Sequence, residues 1–134
     1  MGKSLIQTTN QSAQTVAAGS IISLGSVLRR FGCNCRLSGN GIEVDGEGYY
    51  IIDASVSVAP TAAGAVTVAL YEDGVQIPGA IAYDSVSVAG NATNMAISTT
   101  IRKGCACTGA SNITAVLVAG ASTVNNISLR VVKA

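Results

Sequence analysis

Apolar and small polar residues alternate from Tyr49 to Val58, with Tyr50, Ile52, Ala54, Val56 and Val58 on one side and Tyr49, Ile51, Asp53, Ser55 and Ser57 on the other. Successive side chains of a β-strand point to opposite faces, so this run predicts a strand whose first set enters a core. Pro60-Thr61-Ala62-Ala63-Gly64 predicts a turn, and Val66, Val68 and Leu70 supply the next core row. Asp73-Gly74 is a tight-turn signal ahead of residues 75–77. Pro78-Gly79 is expected to break the chain again. Further runs rich in Val, Ile and Thr lie at 81–88, 94–102, 113–119 and 124–132, with shorter ones near 20–29, 33–37 and 42–45. Together they make about eight to ten short, closely spaced strands, the mark of an antiparallel sandwich or jelly roll. No stretch holds a 3.6-residue apolar period for three turns, so the fold class is all-β. Residues 1–19 are polar (Gln7, Thr8, Thr9, Asn10, Gln11 among them) with little to bury, and read as an extended arm.

The faces opposite the core rows carry almost no charge. Tyr49, Ile51 and Ser55 on the first strand and Thr67, Ala69 and Tyr71 on the second are small, apolar or aromatic, and Asp53 is the one charge among these rows. A solvent-facing row ordinarily carries Lys or Glu to discourage edge-to-edge association. These six residues are therefore the candidate subunit interface. The composition agrees: charged residues are 11% of the chain, against roughly 25% in an average soluble domain. A formal net charge of +1 also favours association.

Composition excludes more than it suggests. The chain has no histidine, so the usual proton shuttle and commonest metal ligand is missing, and no enzymatic site or cofactor is expected. No basic stripe exists to neutralise phosphates, which argues against nucleic acid. No run reaches the roughly 20 apolar residues of a membrane helix. Residues 16–28 are mildly apolar, but Ser and Gly interrupt them and Arg29-Arg30 follows, so no leader is read there. The chain is expected to be made in a cytoplasm.

The four cysteines form two Cys-x-Cys pairs, Cys33/Cys35 and Cys105/Cys107. On strands each pair would share a face, and neighbouring strands would bring four sulfurs together. Three readings stand: two disulfides, a four-cysteine metal site at tighter spacing than usual, or buried thiols acting as small apolar fillers. A cysteine nucleophile lacks a histidine to activate it. Glu43, Asp45 and Glu47 fall at period two, a solvated face in preference to a calcium site. Asn-x-Ser/Thr matches at Asn10, Asn91, Asn112 and Asn126 follow from an Asn-, Ser- and Thr-rich composition. Gly104 and Gly109 read as turn residues, not a phosphate cradle.

From Gly48 onward the chain resembles the C1q/TNF-like jelly-roll superfamily, in the short form found in structural proteins of phages and prophages of Gram-positive bacteria. The resemblance rests on Gly48-Tyr49-Tyr50-Ile51-Ile52, on the strand, Asp-Gly turn and Pro-Gly-Ala segment from Val66 to Ala80, on Thr100-Ile101-Arg102, and on the closing strand Ile127 to Val132. It implies a homotrimer that buries its flanks, with residues 31–134 as the trimerisation domain. It also implies a place in a virion, as a head fibre or decoration-type accessory that docks on a capsid or other virion protein through residues 1–30. Two other functions stay open beside it. One is a carbohydrate-binding or host-surface adhesion module, whose glycan would stack on Phe31, Tyr49, Tyr50, Tyr71 or Tyr83, with Tyr49 and Tyr71 on adjacent strands. The other is a bacterial spore or envelope surface domain.

Overall fold

The computed structural model describes residues 3–104 and 109–134. Among them the chain forms twelve strands: β1 (Leu5–Asn10), β2 (Gln14–Val16), β3 (Ser20–Ile21), β4 (Ser26–Phe31), β5 (Cys35–Ser38), β6 (Gly41–Val44), β7 (Gly48–Pro60), β8 (Gly64–Glu72), β9 (Val75–Val86), β10 (Thr93–Lys103), β11 (Ser111–Ala119) and β12 (Ser122–Lys133). They build two antiparallel sheets. The first runs β10-β7-β12-β1-β4 with β2 added on β12, and the second runs β5-β6-β11-β8-β9 with β3 added on β11.

The alternation between 49 and 58 does what it predicts. Tyr50, Ile52, Ala54, Val56 and Val58 are all buried, and they meet Val66, Val68, Leu70, Ile113 and Leu117 of the second sheet. Ile127, Leu129 and Val131 complete the inner face of the first. Tyr50 is the largest fully buried side chain, and its hydroxyl donates towards the carbonyls of Asp45 (2.9 Å) and Gly46 (2.8 Å). A buried phenol needs such a partner.

Three expectations are corrected. First, the segment 1–30 is not an extended arm over residues 5–30, which supply β1 to β4. β1 lies between β12 and β4, pairing Leu5 with Val132 and Asn10 with Ile127, and Ile6, Val16, Ile22 and Leu24 are core residues. One apolar residue every other position suffices to bury a strand face, so Ile6 and Thr8 turn inward although the segment is polar overall. Second, the strands β7 and β8 are not neighbours. The turn at 61–63 carries the chain from one sheet to the other, because each strand must place its apolar row in the shared core. Third, Pro78-Gly79 does not divide two strands. β9 runs through it with a register shift opposite Ala69 and Tyr71, and Gly79 takes a positive φ of 82°. Proline is tolerated on an edge strand at such an irregularity. The Asp73-Gly74 turn is as expected, with both residues at positive φ (52° and 83°).

Leu129→Ala is expected to cost about 2–5 kcal/mol, because it opens a cavity where β12 meets the core. Chemical-denaturation midpoints of the variant and the parent chain check this.

Candidate assembly surface

The register of the first sheet arranges its outer face in rows across β10, β7, β12, β1 and β4. One row is apolar after its first member: Thr100, Ile51, Val132, Leu5 and Phe31. Phe31 and Tyr49 are each more than half exposed, at 56% and 55%. The next row is polar: Ser98, Asp53, Arg130, Gln7 and Arg29. Beyond it come Ala96, Ser55, Ser128 and Thr9, then Asn94, Ser57 and Asn126, all uncharged.

The polar row is a connected unit. The Arg130 guanidinium sits 2.6 Å from an Asp53 carboxylate oxygen, and the Ser98 hydroxyl donates to the other at 2.8 Å. These two donors, Arg130 first, hold the Asp53 carboxyl below its usual range. A shallow depression of about 150 Å³ lies over the row, lined by Gln7, Asp53, Ser55, Ser128 and Arg130. The Arg102 guanidinium lies over the Tyr49 ring, 5.9 Å from its centre, within reach of a cation–π contact.

The six candidate interface residues do not share one surface. Tyr49, Ile51 and Ser55 lie on the outer face of the first sheet, and Thr67, Ala69 and Tyr71 belong to the second. Tyr49 and Tyr71 therefore do not form a ring platform on adjacent strands. On the second sheet Ala69 is fully buried and Thr67 is only 6% exposed, since larger neighbours flank them: Ile81 and Val116 beside Ala69, Tyr83 beside Thr67. Sequence reasoning missed the flank formed by β9 and β10. From Val75 to Ile101 the chain holds one charge, Asp84. Its carboxylate is taken up locally by the Thr93 hydroxyl and the Ser85 amide. The signal was present in the sequence as a long uncharged stretch, but only the topology places its two strands side by side.

The other candidates separate as well. Cys33 is exposed in the turn between β4 and β5, whereas Cys35 is buried, and both are free thiols. They do not share an environment, because only Cys35 is in a strand. Burial pushes the Cys35 thiol up to about 11, against the smaller opposing effects of Arg30 and Lys133. Cys105 and Cys107 lie outside the described residues. The acidic row Glu43, Asp45, Glu47 is broken: Glu43 is on β6 and pairs with Arg36, while the other two lie in the following turn. No group of three metal-ligating side chains occurs among the described residues. Among them, too, no helix is long and apolar enough to cross a membrane.

Two outcomes are expected. A depressed carboxyl stabilises fully above the unfolded value of about 3.9 and loses that contribution as pH falls through the lower folded value. Asp53→Asn should therefore lower the denaturation midpoint at neutral pH, with the difference from the parent chain closing in acid; a difference that persisted there would refute the ion-pair account. Cys33 should react rapidly with an alkylating agent at mildly alkaline pH while Cys35 stays unmodified until unfolding, as peptide mass mapping would read.

No protein-family model matches the chain, and no curated protein matches it by sequence. Solved structures match it along nearly its whole length. The crystal structure of murine APRIL at pH 5.0 superposes with a TM-score of 0.75 at 11% identity, covering 99% of this chain and all of that one (100%). The globular domain of zebrafish complement 1qA protein gives 0.70 at 8% identity, with 96% and 94% covered. The PRD1 vertex protein P5 gives 0.62 at 13% identity, with 97% and 96% covered. The two packed antiparallel sheets thus have a jelly-roll fold of the C1q/TNF-like kind.

Proposed function

We propose that the chain is a non-enzymatic structural protein of a virion, a trimeric accessory of the head-fibre or decoration type. The observation that carries this reading is the distribution of charge over the surface. From Val75 to Ile101 the β9–β10 flank carries a single charge, Asp84, and most of the first sheet's outer face is uncharged. That face adds an apolar stripe in which Ile51 and Phe31 are exposed and Leu5 and Val132 half-buried. Protein interfaces are depleted of charge at their centres and enriched in aromatic groups. The flank and the face are different surfaces meeting at one edge. A contact of one copy's flank with the next copy's face is heterologous, and such contacts form a ring where the rotation between copies closes. A three-fold ring buries both surfaces in every copy. The fold-level likeness to a vertex protein supports a place on a virus particle. Attachment to that particle belongs to the segment 1–30, whose strands β1 to β4 act from within the sandwich.

The test is molar mass by light scattering across a wide concentration range. A trimer is expected for the parent chain. Ala96→Lys sits where flank and face meet and should shift the mass towards the monomer with an unchanged β-type circular dichroism spectrum. Ser38→Lys, at the far edge on β5, should leave the trimer intact. A parent chain that stays monomeric throughout would remove the trimeric reading.

A further inference from the structure

Strand β4 stands apart from the other edges. Among the other edge strands β2, β5, β9 and β10 each bury at least one side chain, and only the two-residue β3 buries none. In β4 all six residues are exposed, Val27, Leu28 and Phe31 included. Among the described residues it pairs with β1 alone, so its other side presents backbone groups that no strand pairs. The strand contributes nothing to the core, yet it is held firmly at both ends. Gly25 and Gly32 take positive φ (77° and 81°) and let the chain pass directly against the carbonyls of Thr9 and Lys3, where a Cβ has no room. A rigid, preformed edge loses little entropy when a partner strand adds to it.

Charge says what kind of strand fits. Residues 1–42 hold Lys3, Arg29, Arg30 and Arg36 and no carboxylate. Arg36 is paired with Glu43, but Arg29 and Arg30 contact backbone carbonyls, those of Leu28 and Cys35, and neither takes part in a salt bridge among the described residues. The register with β1 shifts at Leu28, so Arg29 and Phe31 lie on the side of Gln7 and Leu5, while Arg30 and Val27 lie on the side of Ile6 and Thr8; each arginine thus has an apolar neighbour on its own side. Two β4 edges brought together in an antiparallel pair would crowd these guanidiniums, which disfavours a second copy. A strand with paired carboxylates between apolar residues has the complementary pattern.

We infer that the free edge of β4 is a strand-addition site for an extended acidic segment of another protein of the particle. This rests on the attachment part of the reading above and names the chemistry of the partner. The probe is a labelled, end-blocked peptide Thr-Val-Glu-Glu-Val-Thr, compared with Thr-Val-Lys-Lys-Val-Thr, in fluorescence anisotropy on the full chain. Saturable binding of the acidic peptide and none of the lysine peptide is expected. The double variant Arg29→Glu, Arg30→Glu should weaken the acidic peptide by about tenfold or more and gain binding of the lysine peptide. Hydrogen exchange should show the amides of residues 26–31 slowed by the bound peptide. Absence of saturable binding, or binding that leaves those amides unprotected, overturns the site. Protection of 26–31 that rises with protein concentration and no peptide would assign the edge to a second copy instead. Light scattering on the same samples separates the two readings: a trimer that ignores the peptide fails only this one, and a monomer that binds it fails only the trimer.

Discussion

The antiparallel pairing of β7 with β12 is the constraint on which the rest of the molecule depends. It runs from Ser122 opposite Pro60 to Lys133 opposite Tyr50, with one irregularity between Val124 and Asn126. Its inner side carries Tyr50, Ile52, Val56, Ile127, Leu129 and Val131, the centre of the core. Its outer side carries Asp53 and Arg130 in one row. Because strand side chains repeat every two residues, a slip of one position would drive that ion pair inward and the core row out. The apolar row and the charged row therefore enforce the same register from opposite faces. β1 and β2 then add to the outer side of β12, and β10 to the far side of β7. Strands distant in sequence must meet before any of this forms, so folding is governed by non-local contacts.

Charge is segregated along the sandwich. Asp84 is the only charged residue in the half that holds the turns at 61–63, 87–92 and 120–121, and hydrogen bonds within its own flank satisfy it. Every other charge lies towards the end where Ser4, Asn34, Asp45 and Lys133 meet. That end is tied by polar contacts: the Ser4 hydroxyl donates to Asn34 at 2.7 Å, Asn34 donates to the Asp45 carbonyl at 2.6 Å, and the Lys133 amide donates to the Ser4 carbonyl at 2.9 Å. One end thus relies on directional hydrogen bonds and ion pairs, while the other offers small neutral surface. A surface of that second kind loses little by being desolvated against another copy, whereas charged groups cost much more to bury unpaired. Association through the uncharged regions and recognition through the cationic edge are in this sense separate tasks in separate places.

Much of the fold was legible because a strand's period is short. The core row from Tyr50 to Val58, the row Val66, Val68 and Leu70, and the Asp73-Gly74 turn all follow from local pattern and local backbone preference. The early segment misled for the same reason. Its few apolar residues, Ile6, Val16, Ile22 and Leu24, are spaced among polar ones and look too sparse to be held, yet each finds a place in the core. The candidate interface was half legible: the absence of charge was visible, but Tyr49 and Tyr71 were assigned one surface when they stand on two sheets.

By itself the sequence determined the class of structure, the inward row of each long strand, the lack of histidine, and the scarcity of charge. These depend on the identity of residues and on their separation along the chain. The tertiary structure alone decided which sheet each strand joins, that residues 5–30 belong to the sandwich, that β9 and β10 make one flank with Asp84 as its single charge between Val75 and Ile101, and that β4 is left as an open edge. The physical reason is that alternation specifies which way a side chain points but not which strand lies beside it. The partner is chosen by the fit of whole apolar faces across a core, a comparison that no single segment contains.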